Sequence, residues 1–197
     1  MFADDTTLGS TLKIIIKHCK ESNINSIINK ELSYVNEWLK VNKLSLNISK
    51  SKYMLFHTSR RKVESLKIKI DNTEIERVIN FNFLGLTMNE NMTWTDHTNK
   101  IANKISRTIG IINKLKHFLP IKTKIQIYNS LILSHINFGI LAWGHECDRI
   151  AKIQKKVLRI MSISKYNAHT EPIFKSMNLL KVKDILKLQE LKFYYKF

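Results

Sequence analysis

Asp4 and Asp5 are adjacent carboxylates in the opening run Met1-Phe2-Ala3-Asp4-Asp5-Thr6-Thr7, and an apolar run, Leu12 to Ile16, follows at once. Hard divalent cations take oxygen ligands, and two ions need several of them. A carboxylate doublet on a tight turn feeding a buried strand therefore suits Mg2+ and two-metal chemistry. The same doublet beside Thr also suits a turn or a helix cap, which needs no metal. His145-Glu146-Cys147 puts three ligand-type side chains in a row, but no second cluster completes a tetrahedral set. Cys19 and Cys147 lack Cys-x-x-Cys spacing, so neither a zinc site nor a disulfide framework is expected.

The elements that must position the doublet can be read from periodicity. Leu12 to Lys17 holds three consecutive Ile residues between lysines and reads as a buried strand leaving the turn. Ser22 or Asn23 can cap a helix whose apolar positions Ile24, Ile27, Ile28, Leu32, Val35, Trp38 and Leu39 recur at spacings of three and four. That stripe is core and contributes position rather than chemistry. Asn42 to Asn47 is a turn into a strand over Tyr53 to Phe56. Leu66 to Ile70 and Glu74 to Val78 alternate about an Asp71-Asn72 turn and predict a hairpin with one wet face. Phe81-Asn82-Phe83-Leu84-Gly85 follows, where Gly85 serves either a positive φ and close approach or a strand bulge.

From Asp96 the period lengthens to that of a helix, and a boundary is placed within 89–95. Ile101, Ile105, Thr108, Ile109, Ile112 and Leu115 form one stripe, capped by Thr95 or Asp96, and Pro120 ends this helix or begins the next. A second helix turns Ile125, Tyr128, Leu131, Ile132, His135 and Ile136 inward. A third follows on Ile150, Ile153, Val157, Ile160 and Met161. After a polar link, Ser162 to Glu171, comes a last amphipathic piece on Val182, Ile185, Leu186 and Leu188.

Composition narrows the function classes. The chain has 197 residues, 44% of them hydrophobic, with 5 Gly and 2 Pro, which suits long regular elements and few loops. Lys and Arg outnumber Asp and Glu 33 to 16, so a formal charge of +17 points to a polyanionic partner or to a coding bias toward Lys, Asn and Ile. No secretory leader precedes the first motif and no apolar run reaches the ~18 residues of a membrane span. The expectation is an intracellular, non-membrane protein.

Phe2-Ala3-Asp4-Asp5-Thr6 resembles the Tyr/Phe-Ala-Asp-Asp box of reverse transcriptases. The later text is similar to the non-LTR, LINE- or jockey-like retrotransposon branch: Trp38 to Asn47 running into Ser49 to Phe56, then Asn82-Phe83-Leu84-Gly85-Leu86, then Thr93-Trp94-Thr95-Asp96-His97. Tyr128 to Ile132, Phe138-Gly139 and Trp143-Gly144 resemble the same family's thumb, and Ile153 to Arg159 the helix after it. The resemblance covers essentially the whole chain.

It implies an α+β fold, with a partial palm of antiparallel sheet and packed helix over 1–92, thumb helices over 93–145 and a helical post-thumb segment over 146–197. It implies Asp4 and Asp5 as Mg2+ ligands and Lys50 as a palm lysine beside the incoming dNTP, where an ammonium offsets charge on the leaving pyrophosphate. Phe83, Leu84 and Gly85 become a primer grip. The exposed cations Lys100, Lys104, Arg107, Lys114, Lys116, Lys122 and Lys124 become phosphate contacts to an RNA template and DNA primer. The family also uses fingers and an earlier palm Asp ahead of the Asp-Asp box, and neither precedes Met1 here, so the chain is predicted inactive as a polymerase alone. Two other classes fit: a non-enzymatic, basic nucleic-acid-binding helical module, and a helical protein-interaction domain.

Overall fold

The computed structural model describes residues 21–58, 60, 66–71 and 73–196, which form two compact units divided between Ile79 and Asn80. The fold is α+β with a helical C-terminal region. The expected strand at Leu12 to Lys17 lies outside the described residues.

In the first unit α1 spans Glu21–Val41, so Ser22 and Asn23 sit inside the helix rather than capping it. Ile24 is buried, and Ile28, Val35 and Leu39 are half-buried, but Trp38, assigned to the same stripe, is 61% exposed. Asn36 takes the buried position instead. A 3-10 turn at Ile48–Lys50 leads to β1 (Lys52–Tyr53), shorter than the expected strand. The predicted hairpin forms as β2 (Lys69–Ile70) and β3 (Thr73–Glu74), antiparallel with Ile70 opposite Thr73. β4 (Glu76–Arg77) then pairs parallel with β1. Small ladders thus stand where one antiparallel palm sheet was expected.

Helix side chains complete what these short strands leave open. Asn29 accepts from the Lys69 N–H (2.9 Å) and donates to the Lys67 carbonyl (3.2 Å), while Asn25 Oδ1 accepts from the Lys67 N–H (3.1 Å). Two amides one helical turn apart stand in for a neighbouring strand and satisfy backbone groups that a bare edge would leave open. Asn36 Nδ2 (2.7 Å) and Lys40 Nζ (3.0 Å) both donate to Asp71 Oδ1, at the hairpin turn, where φ is 46°. The Asn36 bond, with Lys40 beside it, holds the Asp71 carboxyl below its usual range. Ile68, Ile70 and Ile75 form the small core beneath.

The second unit begins with the hairpin β5 (Asn80–Phe83) and β6 (Leu86–Asn89), grouped by sequence with the palm. α2 (Thr95–Leu115) follows, with Ile101, Ile105, Thr108, Ile109 and Ile112 buried as expected. Trp94 precedes it without a side-chain cap, so neither Thr95 nor Asp96 plays that part. Pro120 does start the next helix, α3 (Ile121–Tyr128), which continues through a π turn at Asn129–Leu133 into α4 (Ser134–Asn137). Tyr128, Ile132, Ile136 and Ile140 are all buried at strict spacings of four. A row of fours drifts around an α-helix, and the wider π turn corrects the drift, leaving Leu131 outside.

α5 (Ile140–Trp143), a 3-10 turn at Gly144–Glu146, and α6 (Asp148–Met161) come next. A short helix, α7 (Glu171–Ser176), follows the expected polar link, and α8 (Val182–Tyr194) completes the unit. One core runs from Ile101 to Leu186, across the expected boundary near residue 145. Gln154 is buried at its centre, donating to the Tyr128 hydroxyl (2.7 Å) and the Leu180 carbonyl (2.9 Å) and accepting from the Val182 N–H (3.1 Å). It ties α3, α6 and the start of α8 through one amide.

Candidate nucleic-acid interface

The hairpin tip shows how separate motifs come together. Leu84 and Gly85 form a two-residue loop with φ of 46° and 84°, both in the left-handed region that such a hairpin requires. Gly85 therefore serves a positive φ rather than a bulge. Leu84 is an unusual occupant, holding a strained backbone while its side chain is 68% exposed.

Phe138 and Gly139 meet this tip reciprocally. A Cβ on Gly85 would lie 3.0 Å from Phe138 Cζ, and a Cβ on Gly139, whose φ is 62°, would lie 2.6 Å from Leu86 Cδ2. Each glycine makes room for an apolar side chain of the other segment. The Phe138 carbonyl accepts from the buried Trp143 indole N–H at 2.9 Å, which fixes the turn to the core.

His97 closes the constellation from α2. Its Nδ1 accepts from the Thr87 N–H on β6 (3.1 Å), and its ring lies 6.1 Å from Trp94 and 6.0 Å from Trp143, centroid to centroid. Burial, then the positive Lys100 and Lys104, push its pKa down, so the imidazole stays neutral and keeps the lone pair the amide needs. Glu146 accepts from the Trp94 N–H at 3.0 Å. Thr93 to His97, Leu84 to Thr87, Phe138-Gly139 and Trp143 thus form one packed knot. No role was assigned to His97 from sequence, although its motif had been picked out.

The cations start at this knot. Lys100 Nζ donates to Thr87 Oγ1 (3.4 Å), and Lys100, Lys104, Arg107 and Lys114, all exposed, recur at helical spacings along the outer face of α2. Asp96, in the first turn, is the helix's one acid. The row from residue 100 to 114 runs about 21 Å at 1.5 Å per residue. A duplex carries one negative charge per ~1.7 Å of axis, so such a row faces many phosphates. Lys122 is exposed on α3 and Lys116 half-buried after α2.

Lys124 is a correction. It is buried, and its ammonium donates to the Met161 carbonyl at the C-terminal end of α6 (3.2 Å), where a helix favours a cation, so it cannot reach a phosphate.

Asp4 and Asp5 lie outside the described residues. Lys50 ends an exposed 3-10 turn in the first unit; its backbone N–H is accepted by Asn47 Oδ1 (3.3 Å). Among the described residues no group of three His, Cys, Asp or Glu side chains could hold a metal ion. His145, Glu146 and Cys147 turn to different surroundings: the His145 ring lies 3.7 Å from Glu190, Glu146 takes the Trp94 amide, and the Cys147 thiol is buried with its pKa raised by that burial. Among the described residues no helix is long and apolar enough to cross a membrane.

No family model, curated protein or solved structure matches the chain.

Proposed function

We propose that the chain is the C-terminal palm and thumb portion of a non-LTR retrotransposon reverse transcriptase, and that its helical unit grips a primer-template duplex through phosphates. The observation that carries this reading is the basic row on α2, which begins at the Leu84-Gly85 hairpin and has one acid, Asp96, on its helix. Phosphate contacts of this kind hold a duplex in register without reading its sequence. The exposed Leu84 is suited to touch the end of such a duplex, since a strained apolar tip has no task in the unit's own core.

Template-directed transfer of a nucleotide needs Mg2+ on a preorganised carboxylate set, which Asp4 and Asp5 would supply together with a further Asp that this sequence does not carry in a matching motif. The isolated chain therefore binds but does not polymerise. A second reading, a non-enzymatic nucleic-acid-binding module, is favoured by one fact: the unit from Asn80 onward has its own core.

Primer extension on an RNA template with dNTPs and Mg2+, beside an Asp4→Ala/Asp5→Ala chain, tests the first reading. No incorporation together with RNA/DNA duplex binding is expected. Asp-dependent incorporation overturns the inactivity, and absence of duplex affinity at moderate salt overturns both readings in favour of a protein-interaction domain.

A further inference from the structure

We propose that a second site, on the helical unit, takes one unstacked nucleotide of a single-stranded polynucleotide. A cleft of about 300 Å3 opens between the end of α2, the last turns of α6 and the loop that follows. Among the described residues three cations line it, Lys116, Lys156 and Arg159, and no carboxylate does. Ile160 and Ile163 give it an apolar wall, and Tyr166 stands at its rim. The volume suits one base with its sugar and phosphate rather than a duplex.

Each part has the chemistry such a guest needs. Arg159 is preorganised: its Nε donates to the Ala168 carbonyl at 2.9 Å, which fixes the guanidinium plane and leaves the Nη groups for a fork of bonds to phosphate oxygens. Lys116 and Lys156 add charge without directional demand. Tyr166 is 88% exposed at this cleft, and a base stacks on such a ring whatever its identity.

The loop is held in an expensive shape. Ser164 N–H donates to the Arg159 carbonyl (2.9 Å) and Ile163 N–H to the Ile160 carbonyl (3.3 Å), closing α6 with a left-handed residue. That residue is Ile163, at φ 55°, where a β-branched side chain is strained. Glycine would end the helix with less strain but would not supply the cleft's apolar wall.

The site lies apart from the α2 row in its chemistry, since it combines stacking with charge. It rests on the proposed function only in taking a polynucleotide as partner.

Fluorescence anisotropy with a labelled 12-nucleotide single-stranded RNA tests it, with an RNA/DNA duplex, UMP and poly-glutamate as further probes. Tyr166→Ala is expected to weaken single-strand binding about 5- to 150-fold, the range of one lost stack, while Tyr166→Phe keeps it and duplex binding is unchanged. Lys156→Gln is expected to lower the salt slope for the single strand by ~0.7, one phosphate contact. Unchanged single-strand affinity in Tyr166→Ala overturns the proposal. So does UMP binding as tightly as the 12-mer, which makes the cleft a free-nucleotide site, or equal competition by poly-glutamate, which makes it a generic anion patch. Failure of the parent chain to bind the duplex would instead count against the α2 reading and leave the single-strand result to stand by itself.

Discussion

Gly139→Ala tests whether the hairpin and the Phe138-Gly139 turn interlock as described. At φ 62° an L side chain costs about 1–2 kcal/mol, less the ~0.4–1 kcal/mol by which Ala restricts the unfolded chain. The new Cβ also arrives 2.6 Å from Leu86 Cδ2, so Leu86 must move within a packed surround, and overpacking of this kind adds roughly 1–3 kcal/mol. The net loss is about 1–4.5 kcal/mol, a urea midpoint lower by roughly 0.5–2 M at a slope of ~2 kcal/mol/M.

Leu86→Ala removes the atoms in the way, so the double variant is expected to be less destabilised than the two singles summed, by about 1–3 kcal/mol. Gly110→Ala is the internal control. It lies within α2 with open space around its Cβ position, and the same substitution there is expected to stabilise by about 0.5–1 kcal/mol. Urea unfolding followed by circular dichroism measures all four chains. If Gly139→Ala costs the same with and without Leu86, or if Gly110→Ala destabilises comparably, the interlock is wrong.

His97 makes stability depend on pH. Its pKa is lowered in the fold, so the unfolded chain binds the proton more tightly. The contribution is full above the unfolded value of ~6.5 and is lost as pH falls through it toward the folded value. His135, lowered mainly by burial, acts in the same direction. Thermal melts from pH 8 to 5 are expected to fall more steeply in the parent chain than in His97→Leu, and parallel curves would refute the assignment. Gln154→Leu strands the Tyr128 hydroxyl and the Val182 N–H in the core and removes the part-buried bond to the Leu180 carbonyl, and denaturant unfolding is expected to show a loss of about 3 kcal/mol or more. Lys43, at φ 56° after α1, holds a position that favours glycine, so Lys43→Gly is expected to stabilise the first unit by about 0.5–1 kcal/mol in the same assay.

The helices of the second unit were legible because their stripes are long and regular: Ile101, Ile105, Ile109 and Ile112 leave α2 one way to pack. Gly85 and the Asp71 turn were legible from local chain chemistry. The buried polar residues were not, although the signal was present. Lys124 lies four residues before Tyr128 in the row that continues through Ile132 and Ile136, and Gln154 lies between Ile150 and Val157 on the inner face of α6. Position on the stripe outweighed residue type in both, because each polar atom found a backbone or hydroxyl partner. Leu131 was misplaced because a π turn shifts the register, and nothing in the side-chain pattern announces it. Trp38 was placed inside on hydrophobicity, while the neighbouring Asn36 takes the buried place by bonding to Asp71. The reciprocal fit of two glycine segments is a matter of tertiary approach, which no single motif contains.

The salt dependence of RNA/DNA duplex binding tests the central claim most directly. With Lys100, Lys104, Arg107 and Lys114 each changed to Gln, the slope of log affinity against log salt is expected to shrink by about 3.6, near 0.9 for each lost phosphate contact, with melting behaviour unchanged because all four side chains are exposed. An unaltered slope in a folded variant would contradict the assignment of the α2 face as the surface that holds nucleic acid.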